Sequence, residues 1–241
     1  MTEPAARAER EDGRGPFVIL CDHASRRVPA RSRDLGADPE ALESHAAWDP
    51  GALEVARGLS ARLDAPLVHS TVSRLVADCN RVEDAPDIFP AESERFEIPG
   101  NRDLDANARM ERVLSVHAPY HTLIEKVLEH RPGTHALVAV HSFTPVYRGV
   151  RRPWDVGILH DDERRLADRV IARLEARGDL EVGRNQPYSP ADGVYYTLDR
   201  HGTAHGRPAV MIEIRNDQIA DAAGVERWVG ILADALTGEE P

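Results

Sequence analysis

Short apolar runs alternate with longer amphipathic stretches along this chain. Most of the runs are apolar at successive positions, which is typical of strands buried on both faces of a mainly parallel sheet. The pattern predicts strands at residues 17–21, 66–70, 136–143, 154–159 and 209–214, and a further short strand within residues 73–81.

The stretches between the runs carry helix signals. Helices are predicted at residues 38–48, 49–64, 161–178 and 223–238, and residues 103–129 fit one long helix or two helices broken near Pro119. Pro50 directly after Asp49 is typical of a first helical turn, which makes Asp49 a candidate N-cap.

Strands that alternate with helices predict an α/β fold, in which a mainly parallel mixed sheet forms the middle layer of a three-layer sandwich. We predict a single domain over residues 16–241. Residues 1–15 have alternating charge and no apolar run, and we predict that they form a mobile N-terminal tail.

Composition narrows the function classes. The 241 residues are 41% hydrophobic and 29% charged, as in an ordinary globular domain, and the formal charge of −11 argues against a nucleic-acid surface. No apolar run approaches the roughly 20 residues that cross a bilayer, and the N-terminus lacks the apolar segment of a secretory signal. We therefore expect a cytoplasmic protein, with Cys21 and Cys79 as buried thiols; a disulfide between them is the alternative.

Three polar side chains occur at or near the ends of predicted strands: His23, His141 and Glu213. Because ligands bind beyond the carboxyl ends of parallel strands, we expect these side chains to converge. Two imidazoles and a carboxylate form the kind of site that zinc uses in hydrolases, with a position left for water. The alternatives are a structural hydrogen bond for each histidine and an ion pair between Glu213 and Arg215.

Asn80 and Arg81 end the stretch SRLVADCNR and offer an amide and a planar guanidinium that could hold a substrate carboxylate. An ordinary salt bridge of Arg81 is the alternative. Tyr196 and Arg200 of VYYTLDRHG could cover a polar substrate or donate to a developing oxyanion, and core packing of the tyrosines is equally open.

Taken together, several stretches make the chain resemble the N-formylglutamate amidohydrolase family. They are CDHASRRVP, HAAWDPGA, SRLVADCNR, VAVHSFTP, WDVGILH, NQPYSP, GVYYTLDRHG and EIRND, and they extend from Cys21 to Asp217. The resemblance implies a fold similar to that of the zinc carboxypeptidases and aspartoacylases, of the phosphorylase/hydrolase-like type. It also implies metal-dependent hydrolysis of the amide bond of an N-acyl amino acid, above all N-formyl-L-glutamate. The alternatives are a related hydrolase of another N-acyl amino acid or small amide, and a non-catalytic protein on the same fold that binds a carboxylated metabolite.

The resemblance also implies roles for particular residues. His23 and His141 match the metal ligands, Glu213 matches the general base, and Asn80 with Arg81 matches the pair that holds the substrate carboxylate. Arg215, Tyr196 and Arg200 are further candidates for substrate binding.

The third metal ligand is the point at which this chain departs from the pattern. The carboxypeptidase-type sites have a ligand Glu three residues after the first His, where this chain has Arg26, which cannot bind a cation. Asp49 is our first candidate for the third ligand and Asp22 the second. We expect one divalent metal, zinc by ligand type, although Mn, Fe and Co fit the same ligands. The expected partner is a small-molecule substrate, and a homo-oligomer is possible.

Overall fold

The computed structural model describes residues 3–131, 133 and 135–238. The α-helices are α1 (Pro39–Glu43), α2 (Ala52–Arg62), α3 (Ala106–Arg112), α4 (Ala118–Glu129), α5 (Arg165–Ala176), α6 (Tyr196–His201) and α7 (Ala222–Thr237). The strands are β1 (Ala6–Glu9), β2 (Phe17–Cys21), β3 (Leu67–Ser70), β4 (Glu92–Ser93), β5 (Phe96–Glu97), β6 (Ala136–Phe143), β7 (Val146–Tyr147), β8 (Val150–Arg151), β9 (Val156–Leu159), β10 (Val182–Arg184) and β11 (Ala209–Arg215).

Seven of these strands form one mixed sheet in the order β1-β3-β2-β6-β11-β9-β10. The four central strands β3, β2, β6 and β11 are parallel to one another. β1 is antiparallel to β3 at one edge, whereas β9 is antiparallel to β11 and β10 is parallel to β9 at the other. The predicted mainly parallel mixed sheet is therefore confirmed.

Helices cover both faces of the sheet. Leu59 of α2, Val170 of α5 and Trp228 of α7 belong to one apolar core, whereas Tyr120 of α4 and Leu198 of α6 belong to the core on the opposite face. Burial on both faces explains why the strands are apolar at successive positions. The molecule is the single-domain three-layer α/β sandwich that the sequence predicts.

The N-terminal segment differs from its prediction as a mobile tail. Residues 6–9 form the edge strand β1, and Glu9 accepts hydrogen bonds from Arg57 at 2.8 Å and from His69 at 3.1 Å. The prediction is therefore wrong for residues 6–9. A four-residue strand with two charged side chains has no local signal, because its pairing with β3 joins positions about sixty residues apart.

Three further predictions change at the level of single elements. The helix expected at residues 38–48 is the shorter α1, for which Asp38 accepts the capping hydrogen bond from the Glu40 amide at 2.7 Å. Residues 73–81 form turns rather than a strand. Residues 103–129 contain α3 and α4 joined by a π-helical turn, so that the helical path continues through Pro119 in α4.

Cys21 and Cys79 are both buried and free, so the predicted buried thiols are confirmed. Of the helices in the described part of the chain, none combines the length and the apolar character that crossing a membrane requires.

Candidate metal centre and active site

Strand alternation places His141 and Glu213 together. The two residues are paired in register between β6 and β11. Their neighbours Val140 and Ile212 pack in the core under α2, α5 and α7, so that His141 and Glu213 face the opposite side of the sheet. A polar residue within each apolar strand is therefore directed towards one place near the carboxyl ends of the parallel strands.

His23, Asp49 and His141 form a buried cluster at this place. Oδ2 of Asp49 lies 2.9 Å from Nδ1 of His141 and 3.3 Å from Nδ1 of His23, and the potential ligand atoms of the three residues all lie within 4.8 Å of one another. His23 lies in the loop after β2, Asp49 lies just before α2, and His141 lies in β6. The structure thus brings together the three residues that the sequence offers as metal ligands.

Asp49 does not cap α2. Gly51 occupies the N-cap position and contributes no side-chain hydrogen bond, while the Asp49 carboxylate contacts the two imidazoles instead. The N-cap predicted from the Asp49–Pro50 pair is therefore wrong.

Each imidazole has a second carboxylate on its other nitrogen. Nε2 of His23 lies 2.8 Å from Oδ1 of Asp78, and Nε2 of His141 lies 2.9 Å from Oδ2 of Asp22. Asp22 also accepts a hydrogen bond of 2.5 Å from Oγ1 of Thr197. A carboxylate on the far nitrogen is typical of metal-binding histidines, because it holds the proton there and leaves the near nitrogen with a lone pair. The donor set therefore fits a metal ion, with Asp22 as a partner of His141 rather than a member of the ligand cluster.

The charges in the cluster stabilise one another. Burial by itself lowers the pKa of His23, but the charges of Asp78 and Asp49 raise it to a net value above the usual range, and the pKa of His141 is raised still further. Burial likewise opposes ionisation of Asp49, yet the charges of Arg74 and His23 hold its pKa well below normal. A divalent metal competes with the protons of such a cluster, because imidazole binds a metal through the same lone pair.

Sequence reasoning missed Arg74, which lies beside this cluster. Its Nη1 is 3.1 Å from Oδ1 of Asp49 and 3.1 Å from Nδ1 of His23, and its Nε donates to the carbonyl of Ala46 at 3.1 Å. Arg74 and Asp78 belong to SRLVADCNR, the same stretch that contains Asn80 and Arg81. Two further charged residues in this stretch were the sequence feature that could have indicated a role for them in the site.

Glu213 is buried and has no ion pair with Arg215. Among the described residues, no group donates a hydrogen bond to its Oε2. Burial raises the pKa of Glu213 to about 7, against the opposing charge of His141. Arg215 instead contacts Asp155 at 3.1 Å and Asp217 at 2.8 Å. The ion-pair alternative for Glu213 is therefore wrong, and Arg215 is not among the residues that line the cavity beside Glu213.

A cavity of about 290 Å³ opens over the cluster. Its wall includes the candidate ligands His23, Asp49 and His141, together with Glu213, Asn80 and Arg81. Asn80 is fixed by its Oδ1, which accepts a hydrogen bond of 3.0 Å from the Thr197 amide, and Arg81 donates to Asp87 at 2.8 Å and to the Gly193 carbonyl at 3.2 Å. The predicted carboxylate-binding pair is thus adjacent to the predicted metal site.

Tyr196 and Arg200 lie outside this cavity, which corrects their predicted place in the site. They are one turn apart on α6 and contact each other at 3.0 Å; Arg200 also bonds Glu125 of α4 at 3.0 Å, and the Tyr196 ring packs against His121. The reason is helical geometry, since Thr197, one residue further on, is the member of α6 that reaches the cluster through Asp22.

His117 and His121, one helical turn apart, serve as structural histidines. Nε2 of His117 bonds the carbonyl of Arg81 and Nε2 of His121 bonds that of Cys79, each at 2.9 Å, while Nδ1 of His121 lies 2.8 Å from His201. These contacts support the turn that carries Asn80 and Arg81.

The cavity thus gives this α/β fold a candidate active site at the carboxyl ends of parallel strands. The family model for N-formylglutamate amidohydrolase matches residues 15–220. The chain belongs to the N-formylglutamate amidohydrolase family and is accordingly a hydrolase that acts on amide bonds.

The chain is similar to several solved structures. The gene product Atu2144 from Agrobacterium tumefaciens is 42% identical, with a TM-score of 0.95 over 97% of this chain and 94% of its own. N-formylglutamate amidohydrolase from Ralstonia eutropha JMP134 is 20% identical, with a TM-score of 0.70 over 97% of this chain and 96% of its own, and this likeness shows the fold. A comparison with curated proteins finds no significant match.

Proposed function

We propose that this protein hydrolyses the amide bond of an N-acyl amino acid with the help of one divalent metal. The substrate that we favour is N-formyl-L-glutamate, which yields formate and L-glutamate. Family membership supports the reaction type. The observation that carries the proposal is the arrangement of two imidazole nitrogens around the carboxylate of Asp49, beside Glu213, whose Oε2 accepts no hydrogen bond from the described residues.

His23, Asp49 and His141 are the residues that would hold the metal. Two nitrogens and one oxygen suit zinc, although Mn, Fe and Co accept the same ligands. When bound, such an ion lowers the pKa of a water molecule and polarises the acyl oxygen of the substrate. Asp78 and Asp22 would keep the two imidazole rings in the tautomer that this requires.

Glu213 is the residue that would move the proton. A carboxylate with a pKa of about 7 can accept a proton from the attacking water at neutral pH and can then deliver it to the nitrogen of the broken amide bond. The amide C–N bond breaks, the water oxygen becomes part of formate, and the amino acid leaves as its amine.

Arg81 would hold the α-carboxylate that every N-acyl amino acid carries. Its present partner Asp87 is half exposed, so that a substrate carboxylate can replace this ion pair at small cost. Asn80 fixes the turn through the Thr197 amide, and Arg74 stabilises the ionised carboxylate of Asp49 at 3.1 Å. A cytoplasmic location and a homo-oligomer remain predictions of the sequence.

The test combines metal content with turnover. Protein purified without chelators is analysed for metal, and formate release is measured with N-formyl-L-glutamate and, for comparison, N-acetyl amino acids. We expect near-stoichiometric zinc and a loss of at least about 100-fold in kcat for Glu213→Gln, which removes the proton acceptor but keeps the metal ligands.

Glu175→Gln is the matched control. Glu175 of α5 pairs with Arg184 of β10, away from the cavity, and full activity is therefore expected. Near-normal turnover by both Glu213→Gln and His141→Ala would contradict the mechanism.

A further inference from the structure

Arg152 is a buried arginine surrounded by aromatic rings. The residue comes directly after strand β8 of the β7–β8 hairpin, and only 8% of it is exposed. The centre of the guanidinium lies 4.6 Å from the ring of Tyr147, 4.8 Å from that of Tyr188 and 5.7 Å from that of Phe143. Cation–π attraction to these rings offsets part of the loss of hydration.

Arg152 lacks the anion that a buried cation requires. Within the described residues it forms no ion pair with a carboxylate, and its Nη1 has no hydrogen-bond acceptor. Arg74 and Arg81, by contrast, pair with Asp49 at 3.1 Å and with Asp87 at 2.8 Å. Burying an uncompensated charge is costly, so a buried Arg152 without a carboxylate partner points to an anion that binds from outside the chain.

The position of Arg152 indicates where that anion binds. Tyr147 and Tyr188, whose rings contact Arg152, both line the cavity that contains Glu213. Burial and then the charge of Glu213 raise the pKa of Tyr188 to about 12, while Arg152 opposes this effect. Arg74, Arg81 and Arg148 line the cavity, and Arg152 lies behind its tyrosine wall.

We propose that Arg152 determines substrate specificity by binding the side-chain carboxylate of an acidic N-acyl amino acid whose α-carboxylate is held by Arg81. This proposal rests on the proposed function. A guanidinium whose faces contact aromatic rings can still donate from its edge, and a carboxylate accepts two such bonds. Binding requires a ring of the wall to rotate, and Tyr147 lies in the two-residue strand β7.

The test compares a substrate with an acidic side chain and one with a neutral side chain of the same shape. Zinc-loaded wild-type protein and Arg152→Met are assayed for formate release with N-formyl-L-glutamate and N-formyl-L-glutamine, and the affinities are measured by calorimetry in the slow Glu213→Gln background. We expect Arg152→Met to lower kcat/KM and affinity for the glutamate compound by roughly 10- to 100-fold. The kcat/KM and the affinity for the glutamine compound should change by less than about threefold, because its amide side chain forms no charged pair with Arg152.

Arg151→Met is the matched control, since Arg151 is the exposed neighbour of Arg152 in the chain, and the preference for the acidic substrate should persist. Arg152→Lys keeps the charge but loses the planar fork, so a part of the preference should remain. If Arg152→Met does not fold, an unchanged preference in Arg152→Lys overturns the proposal.

Equal losses for the two compounds, or a wild-type protein that does not distinguish them, also overturn it. A wild-type protein that hydrolyses both compounds equally rejects the role of Arg152 and leaves the proposed function standing. A wild-type protein that hydrolyses neither rejects the proposed function, and the calorimetric preference then decides the role of Arg152.

Discussion

Glu213 combines a catalytic advantage with a cost in stability. A buried carboxylate without a donor for its Oε2 among the described residues is poised to accept a proton, but its ionised form lacks the hydrogen bonds that water supplies in the unfolded chain. The pKa of about 7 expresses both properties, because the folded protein holds this proton more tightly than the unfolded chain does.

The stability of the metal-free protein should therefore depend on pH through Glu213. The folded pKa is raised above the ordinary value of 4.5, so the protonated form favours the native state at low pH, and this contribution is lost as the pH rises from 4.5 through about 7. We expect Glu213→Gln to raise the Tm relative to wild type at pH 8, by an amount on the order of several degrees, and to leave it nearly unchanged at pH 5. Thermal unfolding in a chelator checks this, and equal differences at the two pH values would contradict it.

Asp78 acts on the candidate metal through His23, whose Nε2 it bonds at 2.8 Å. Asp78→Asn weakens the hold on the ring tautomer, and we expect zinc affinity to fall by roughly 10- to 100-fold. Competition with a chromophoric chelator measures the affinity. Asp168→Asn, an exposed change on α5, is the control and should have no effect. An unchanged affinity in Asp78→Asn would mean that His23 does not depend on this carboxylate.

At the scale of elements, strand β9 is tightly packed where it lies beside Glu213. Gly157 lies opposite Glu213 in the β9–β11 register, and a Cβ at this position would lie 1.9 Å from the carbonyl oxygen of Gln186. No side chain beyond hydrogen fits there without a shift of backbone.

Gly157→Ala should consequently lower the free energy of unfolding by about 1–3 kcal/mol or more, because overpacking forces backbone movement. Denaturant titration is the measurement. Gly230→Ala is the matched control: a Cβ on this α7 residue meets no atom within 4 Å, and alanine favours a helix, so equal or slightly higher stability is expected. A stability loss of similar size in both variants would reject the packing argument.

At the scale of the whole molecule, the candidate metal joins three separate parts of the fold. His23 follows β2, Asp49 precedes α2 and His141 lies in β6, so a bound ion would connect two parallel strands and the start of a helix. An ion that binds the native state alone stabilises it by mass action.

Removal of the metal should therefore lower the Tm. At a free zinc concentration of about 1,000 times Kd, the stabilisation is about 4 kcal/mol, which corresponds to a shift on the order of 10 °C. Differential scanning fluorimetry with and without a chelator tests this expectation. His141→Ala should show little response to the chelator, and a chelator response equal to that of wild type would show that the ion binds elsewhere.

The order of apolar and polar positions by itself determined the central strands, most helices, the layered α/β fold and the place of His23, His141 and Glu213. This was possible because burial on both faces leaves a continuous apolar run, and because the carboxyl ends of parallel strands meet at one edge of the sheet.

Which polar groups meet at that edge was decided by the tertiary structure. Asp49 could have been a helix cap, and Arg74 had no signal apart from its stretch. Arg81 pairs with Asp87, whereas Arg152 lies against aromatic rings and forms no ion pair within the described residues. Partners such as Thr197 and Asp22 are 175 residues apart in the chain, and a local pattern records how deeply a side chain is buried but not which distant group it faces.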